Sequence, residues 1–554
     1  MIVEMRDGWL LPVFRYEENI VRLIKTITGR SFDKSTKRWF IPCYHVVETM
    51  EKLGRIGFSF RSEVHEYKAQ LLAHRQNIER AKESETAYSG SYGAVLRPYQ
   101  KKGVAFLRVA GRALLADQMG LGKTLQVIAA GEGADANLIL CPATNKYGWA
   151  DEVKKWAPAE LAVVIDGSPE NRARLWQTPG AKWFIVNYEL LLRPGDLAQM
   201  RRPWGMVACD EATRISNGKA KTVVALKTLP AKRRYALTGT PISNRPDDIW
   251  SIVDWLLPGY LGTWTQFIEQ YAVFDSWEGD TRGNIIGFTD LQGLAERLKP
   301  VMLRRLKEEV LHELPKKTVK DVVFELSEHE AKVYDAVRAN ILGDLKSDVL
   351  GKIDRSTLSM ITVKMTRLQQ VTDHVSLVGE GAESTKLEIL MEKIGEAISS
   401  GGKSLVFTRF AEMAKIISKR LESDGIGHRV IMGEVAHEDR QTFVNDLNND
   451  PEVKVLIGTE AAAYGLNLQG ASYVFMYDLP WSISKTLQRE DRAHRMGQTK
   501  PVTVYNLIAK GTIDSYVLNV ISKKRKLANE VLQDDVRLED AGITEEDIKG
   551  ILGL

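Results

Sequence analysis

The chain has 554 residues, of which 44% are hydrophobic, 27% charged and 8% aromatic. That length is a prior of about three to five domains, and the composition is that of ordinary globular protein able to bury large cores. Lys plus Arg number 76 against 72 Asp plus Glu, a net charge of +4, which excludes a histone-like polycation and confines any nucleic-acid contact to local patches. Cys43, Cys141 and Cys209 lie far apart without CxxC spacing, so a disulfide framework or zinc knuckle is disfavoured and a reducing compartment fits. No apolar run reaches the membrane-spanning length of about 18 residues. The opening MIVEMRDGWLLPVF lacks a charged-then-apolar signal layout. The expectation is a soluble intracellular protein with no membrane partner.

Residues 1–65 read as short strands around one helix, near Val21 to Ile27, with a strand, polar turn and strand over Arg30 to Pro42. Residues 66–94 read as a polar helical linker ending in a flexible Ser/Gly/Tyr joint, Tyr88 to Gly93. From Leu96 the pattern changes. The runs ALLAD, NLILCP, AVVID, WFIVN, MVACD and YALTG alternate with helical segments. Continuous apolar strands between helices imply a parallel sheet buried on both faces. The same grammar returns after about residue 400 in KSLVFT, HRVIMG, VKVLIG, SYVFMYD and TVYNLIA. Between them, from about 242 to 375, helix formers dominate and only Val319 to Leu326 has strand rhythm. The expected fold class is α/β: two RecA-like parallel-sheet lobes with helical insertions and a small α+β N-terminal domain. Boundaries fall at 1–65, 66–94, 95–300 (first lobe), 301–385 (inter-lobe segment and insertion), 386–532 (second lobe with a C-terminal brace) and 533–554 (tail). The basic run Lys523 to Lys526 lies in the amphipathic pattern of that brace, and the tail suggests a capped terminal helix.

The strongest local signal is LLADQMGLGKT, residues 114–124, an apolar strand running through Gly120 and Gly122 into a helix. Glycines let backbone N–H groups approach a phosphate, and a helix N-terminus favours its charge. Lys123 would then reach the terminal phosphates of ATP, and Thr124 would ligate Mg²⁺. Asp117 stands where a strict GxxxxGK[ST] motif has its first Gly. The strand MVACD ends in Asp210 and Glu211. There Asp210 would hold Mg²⁺ and Glu211 would orient or deprotonate water, where an isolated pair reads equally as a helix cap. Arg492 and Arg495 in QREDRAHRMGQ share a face if helical, and could stabilise a transferring phosphoryl group. Because Lys123 and Arg495 lie so far apart in sequence, a joint site requires two lobes facing each other.

From Leu96 to about Leu532 the chain resembles a SWI/SNF-type ATPase of helicase superfamily two. LRPYQ, ending in Gln100, is similar to the family's adenine-reading motif, and the phosphate loop is similar to its DEMGLGKT. LCPAT (Thr144, with Trp149 downstream) resembles motif Ia, NYEL (Asn187) motif Ib, and LTGTP (Thr240, with Asn244) motif III. MLRRLK and LPK, residues 302–307 and 314–316, resemble the inter-lobe segment. FTRF (Thr408, Arg409) resembles motif IV, and Thr459 with GLNL (Asn467) resembles motif V. The resemblance implies a DNA-dependent ATPase whose motif residues grip duplex phosphates, binding that would be sequence-independent and salt-sensitive. Departures are Gln118 for Glu, Thr213 for the last His of the DEAH box, and Glu460 in motif V; these bear on coupling to DNA rather than on hydrolysis.

RSFD and TKRWFIP, in residues 30–42, resemble the HARP domain of annealing helicases. Residues 1–70 carry 12 Lys/Arg and 9 Asp/Glu, net +3. Lys37 and Arg38 could meet phosphates, with Trp39 either stacking on a base or packing in the core. The sequence thus implies an ATP-hydrolysing double-stranded DNA translocase acting in fork remodelling or strand annealing. Competing readings are a remodeller that displaces proteins, a binding module with a vestigial motor and, remotely, a metabolic kinase. ATP and Mg²⁺ are the implied cofactors, duplex or forked DNA the partner, and a monomer the expected state. The expected setting is the cytoplasm of a bacterial or phage-infected cell, or the nucleus of a eukaryote.

Overall fold

The computed structural model describes residues 1–85, 88, 90–242, 246–274, 277–278, 281–282, 285–348, 355–381, 383–459, 466, 468–532 and 538–539. The chain divides into two compact units, the first holding Met1–Gln118 and Gly122–Leu306, the second holding Met119–Leu121 and Lys307–Lys526.

The N-terminal module in the first unit is a five-stranded sheet of order β3-β4-β2-β1-β5. Its strands are β1 (Ile2–Arg6), β2 (Trp9–Val13), β3 (Ser31–Asp33), β4 (Arg38–Pro42) and β5 (Ser59–Phe60), with helices α1 (Glu18–Ile24) and α2 (Val46–Gly54). One helix was expected and two are present, because Val46 and Leu53 bury a second apolar stripe beside Val3, Leu10 and Ile41. The expected strand-turn-strand is β3 and β4. Asp33 fixes its turn by accepting from Ser35 N (2.8 Å), Ser35 Oγ (2.7 Å) and Thr36 Oγ1 (2.8 Å). Those bonds hold the Asp33 carboxyl down at about 2.

The module is docked on the first lobe. His45 Nε2 lies 3.1 Å from Gly259 O, and the Tyr44 hydroxyl donates to Pro258 O. Gly29 N donates to Gln266 Oε1 (3.0 Å), and Gln266 Nε2 donates to Arg30 O (3.2 Å). A Cβ on Gly29 would lie 2.7 Å from Gly259 O, so this approach requires glycine. Helix α3 (Ser62–Glu83) leads from the module, and its end is built into the lobe through Ile78 and Ala81. The expected flexible joint is pinned instead. Tyr88 is buried and donates to Glu132 Oε2 (3.0 Å), and Ser91 N donates to Glu132 Oε1 (3.0 Å). Burial works to raise the Glu132 carboxyl, but hydrogen bonds from Ser91, Arg108 and Tyr88 outweigh it and hold the group at about 2.

The first lobe follows the expected alternation. After α4 (Pro98–Ala110) come β6 (Arg112–Leu115), α5 (Lys123–Ala130), β7 (Asn137–Cys141), α6 (Lys146–Trp156), β8 (Leu161–Val164) and α7 (Pro169–Leu175). Then follow β9 (Ala181–Asn187), α8 (Pro194–Met200), β10 (Trp204–Asp210), α9 (Lys221–Lys227), β11 (Ala231–Leu237), α10 (Asp248–Leu256) and α11 (Trp264–Tyr271). Where no strand rhythm was expected, β12 (Ala272–Phe274) pairs with β15 (Ile285–Phe288), and β13 (Trp277–Glu278) with β14 (Thr281–Arg282). Helix α12 (Leu291–Leu298) and β16 (Met302–Leu303) close the lobe, whose parallel sheet has the order β16-β6-β11-β10-β7-β9-β8. Every residue of β7 is buried, as a strand covered on both faces demands.

In the second unit α13 (Lys307–Val310) leads to β17 (Lys317–Phe324), α14 (Glu328–Asp348), α15 (Arg355–Asp373), α16 (Thr385–Ser399), β18 (Ser404–Phe407), α17 (Ala411–Ser423) and β19 (His428–Ile431). It continues with α18 (His437–Asn449), β20 (Val455–Gly458), β21 (Tyr473–Met476), α19 (Ile483–Glu490), β22 (Val502–Ala509) and α20 (Ile513–Leu532). The sheet is parallel, of order β17-β22-β21-β18-β20-β19. The strand anticipated near Val319 is therefore the edge strand of this sheet, in register with β22 from Lys317 to Phe324. Lys386, fully buried, ties α16 to Asp373 (2.9 Å) and Asp514 (2.7 Å). Burial opposes its charge, and the two carboxylates outweigh burial and keep it protonated. The basic run of α20 and the terminal-helix segment fall where side chains or backbone lie outside the described residues.

Candidate functional site

At the carboxyl ends of β6 and β10 the first lobe gathers the residues that the sequence put forward. Gly120 and Gly122 have φ of 85° and 71°, a left-handed backbone that favours glycine, and Gly122 is the N-cap of α5. Lys123 and Thr124 follow, both half-buried. Lys123 Nζ donates to the loop carbonyls of Asp117 (2.7 Å) and Gln118 (3.4 Å), so the ammonium lies along the loop that would cradle phosphates. Asp117 is fully buried, with a structural partner: Arg305 Nε donates to its Oδ1 at 2.9 Å and Gln126 Nε2 to its Oδ2 at 3.1 Å.

Asp210 ends β10 with one carboxylate oxygen fixed by neutral donors. Its Oδ2 accepts from Asn145 Nδ2 (3.0 Å) and from the Trp149 indole (2.8 Å). Its Oδ1 accepts from the Glu211 amide (3.0 Å), and its carbonyl accepts from the Tyr188 hydroxyl (2.6 Å). Burial pushes the Tyr188 phenol well up, so it stays a donor. Among the described residues no Lys or Arg pairs with Asp210, which is half-exposed. A half-open carboxylate without a protein cation, together with the Thr124 hydroxyl, is a hard-oxygen donor set that fits Mg²⁺. Glu211 turns the chain out of the sheet at φ 50°, left-handed for a residue with a side chain, a conformation that clusters at functional sites. Gln100 sits at the N-terminus of α4, almost fully buried, and its Oε1 accepts from Arg97 N (3.0 Å) in a capping box.

Sequence reasoning missed Asn145 and Trp149 as carboxylate holders. The available signal was the spacing of Trp149 and Val153 on α6, which turns both inward. Of the expected DNA-path residues in this lobe, Thr144 is exposed, Asn187 donates to Glu189 Oε2 (2.6 Å), and Thr240 is buried in the turn after Thr238. In the N-terminal module Lys37 and Arg38 are exposed, and Lys37 adopts φ 53° at the hairpin tip. Trp39 is half-buried and packs on Phe32 (centroids 5.0 Å), which is 46% exposed.

In the second lobe the two arginines come together, but not on a helix. Helix α19 stops at Glu490, and residues 491–497 form turns. Arg492 Nη1 and Arg495 Nη1 both donate to Leu466 O, each at 3.3 Å. Beside them Asp491 pairs with Lys307 (2.8 Å) and Glu490 with Lys317 (2.7 Å), all four nearly or largely buried. Thr408 is fully buried; its hydroxyl donates to Asp478 Oδ2 (2.6 Å), as does Arg409 N (2.7 Å). That hydroxyl is thus committed to a buried carboxylate of the fold. Arg409 is half-buried and donates to Gln369, and Thr459 is buried. Asn467, Glu460 and Asn244 lie outside the described residues.

A model of the SNF2-related domain matches residues 99–377, and one of the helicase conserved C-terminal domain matches residues 385–497. A protein named uncharacterized ATP-dependent helicase from Mycoplasma genitalium is 32% identical over 455 residues, 80% of this chain and 42% of its own length. The TATA-binding protein-associated factor mot1 of Aspergillus fumigatus is 30% identical over 529 residues, 83% of this chain and 28% of its own. The chain thus spans less than half the length of either relative. Among solved structures, the Sulfolobus solfataricus SWI2/SNF2 ATPase core in complex with dsDNA is 31% identical, covering 82% of this chain and 96% of that one with a TM-score of 0.38.

Proposed function

The chain belongs to the SNF2-related family of helicase-like ATPases, and from that premise we propose that it hydrolyses ATP when bound to double-stranded DNA and translocates along it. The observation that carries this reading is the end of β10. Asp210 is aimed by Asn145 and Trp149 and, among the described residues, is left without a protein cation, one strand removed from the glycine loop that leads into Lys123. Lys123 leaves the loop carbonyls for the phosphates of ATP, with Gln100 assigned to the base. Thr124 and Asp210 would hold Mg²⁺, which when bound would offset charge on the phosphate oxygens. Glu211 orients or deprotonates the attacking water. Arg492 and Arg495, already paired on Leu466 O, donate to the oxygens of the transferring phosphoryl group.

For the DNA, fork remodelling or strand annealing is the finer reading. It draws on the β3–β4 hairpin, where exposed Lys37 and Arg38 stand beside Phe32 and Trp39, a basic and aromatic surface suited to unpaired bases. Protein displacement is the alternative, favoured by similarity to a TATA-binding protein-associated factor.

The test is the steady-state ATPase rate without DNA and with single-stranded, linear duplex and forked DNA. Stimulation by duplex is expected, and Lys123→Ala should lower turnover about 10²- to 10³-fold. The double variant Lys37→Ala/Arg38→Ala should erase a preference for forks while leaving duplex stimulation. Equal and feeble rates on every DNA would sink the translocase reading in favour of a vestigial motor.

A further inference from the structure

Arg492 and Arg495 stand on turns rather than on a helix, so their aim depends on what holds those turns. Both donate from Nη1 to one carbonyl, Leu466 O, each at 3.3 Å. The pair is therefore only as well placed as that carbonyl and the chain beside it, Leu468 to Ala471. At the leading end of the turns charge does the holding, with Glu490 paired to Lys317 at 2.7 Å and Asp491 to Lys307 at 2.8 Å. At the trailing end stands Gln498, a neutral side chain 6% exposed, which the hydrolysis reading does not use.

Gln498 Nε2 donates to Gln469 O (2.9 Å), Ala471 O (2.9 Å) and Ala493 O (3.1 Å). Its two N–H bonds are thus shared among three carbonyls, two just past Leu466 and one between the two arginines. Its Oε1 accepts from Thr499 N (3.0 Å) and Lys500 N (2.9 Å), so both ends of the amide are engaged. Gly497, left-handed at φ 92°, makes the sharp turn immediately before it, and a Cβ there would lie 2.6 Å from Gln469 Oε1. The backbones meet as well, Leu468 N donating to Arg492 O at 3.3 Å. As at Asp210, a neutral holder leaves the charge of the held groups available for a ligand.

We propose that Gln498 is a positioning residue for the arginine pair: by clamping Gln469, Ala471 and Ala493 through one amide, it fixes the Leu466 carbonyl on which Arg492 and Arg495 rest. It acts on the transferring phosphoryl group only through the arginines. This role rests on the ATP-hydrolysis reading and deepens it, and every residue in it lies in the second unit.

The test measures kcat and KM for ATP on saturating duplex DNA between pH 8 and pH 5.5 for wild type, Gln498→Met and Gln498→Glu. Gln498→Met keeps the volume and removes every hydrogen bond of the amide. Its kcat should fall about 10²-fold at all pH, the cost of reacting groups displaced by about 1 Å, with KM for ATP within about twofold. At pH 8 Gln498→Glu sets a carboxylate against three carbonyl oxygens and should lose as much. Burial among those oxygens raises its pKa, and once protonated the new carboxyl has an O–H to donate to one of them. Its kcat relative to wild type should then recover about tenfold as pH falls, while that of Gln498→Met stays flat. A residue needed only for folding would lower the yield of folded protein and leave kcat per folded molecule and its pH profile as in wild type. Hydrogen exchange supplies a readout free of turnover: the Leu468 and Ala471 amides should exchange about tenfold faster in Gln498→Met. Wild-type kcat in the variants, a raised KM in place of a lowered kcat, or a Gln498→Glu profile without acid recovery overturns the role. Wild type without duplex-stimulated turnover overturns the hydrolysis reading instead, and the exchange rates still decide whether Gln498 is the clamp. Should Gln498→Met fail to fold, Gln498→Glu carries the test, since it keeps an acceptor for Thr499 and Lys500.

Discussion

Asp210 and Asp478 occupy comparable places in the two lobes, each at the carboxyl end of an interior parallel strand, β10 between β11 and β7, and β21 between β22 and β18. Their surroundings differ in kind. Asp210 is half-exposed and held by neutral donors, Asn145 and Trp149. Asp478 is fully buried, accepts from Thr408 and the Arg409 amide, and faces Arg489, itself 1% exposed, at 3.6 Å. A carboxylate oriented by dipoles keeps its charge for a ligand; one compensated by a guanidinium has spent its charge on the fold. The same sheet position thus leaves a carboxylate open in one lobe and commits it to architecture in the other.

The sharpest way to break this contrast is to delete each carboxylate. Asp478→Ala strands Arg489 in the core, and loss of one partner of a buried pair costs about 3–5 kcal/mol; thermal unfolding of the full chain should show a lower transition, with turnover lost only as the protein unfolds. Asp210→Ala should leave that transition nearly in place and lower ATP turnover about 10²- to 10³-fold. If the two variants lost equal stability, the distinction between a binding and an architectural carboxylate would be wrong.

A smaller change probes how Asp210 is aimed. Trp149→Phe keeps most of the buried ring and removes the indole donor at 2.8 Å. One hydrogen bond to a charged acceptor is lost, so kcat should fall about tenfold with KM for ATP little changed. A rise in KM with kcat unchanged would assign Trp149 to nucleotide binding rather than to carboxylate orientation.

Most strands of both sheets were legible because a parallel strand covered on both faces must be continuously apolar, and all eleven runs from ALLAD to TVYNLIA form strands. Lys123 and Asp210 were legible because a glycine loop and a strand end announce themselves locally. What escaped was long-range. Nothing in linear order joins Asp117 to Arg305, 188 residues away, although both stood out separately. Thr408 read as a polar residue on a DNA path, where a threonine at a strand end can equally satisfy a buried carboxylate. Arg492 and Arg495 read as one helical face, yet α19 ends before them and a shared carbonyl, Leu466 O, brings them together. The strand rhythm from Val319 to Leu326 did mark β17, but nothing in linear order said that it pairs with β22.

Acid separates two further regions, the module docked through His45 and the second-lobe pair around Asp491, and gives the smallest predicted effect. Burial lowers His45 to about 4, with Gly259 O and Glu48 only partly opposing. Above the ordinary histidine value of about 6.5, neither docked nor released module binds the proton, so pH has no effect through this group. Between about 6.5 and 4 the released form takes up a proton that the docked form refuses. Docking therefore weakens as pH falls, by at most about 1.4 kcal/mol per pH unit for one proton. Asp491 carries the same sign in a lower window: burial works to raise it, but Lys307 and Lys317 outweigh burial and hold it below the usual carboxylate range. Its contribution is complete above about 4 and lost only as pH falls through the lowered value. Hydrogen exchange at pH 7 and pH 5 should therefore show residues 28–45 and 258–266 opening in mild acid while 488–498 keeps its protection. His45→Gln should flatten the module's response between those pH values. An undiminished acid response in that variant would mean that another group senses the proton, with Glu48, which faces His45 at 3.7 Å, the first to replace.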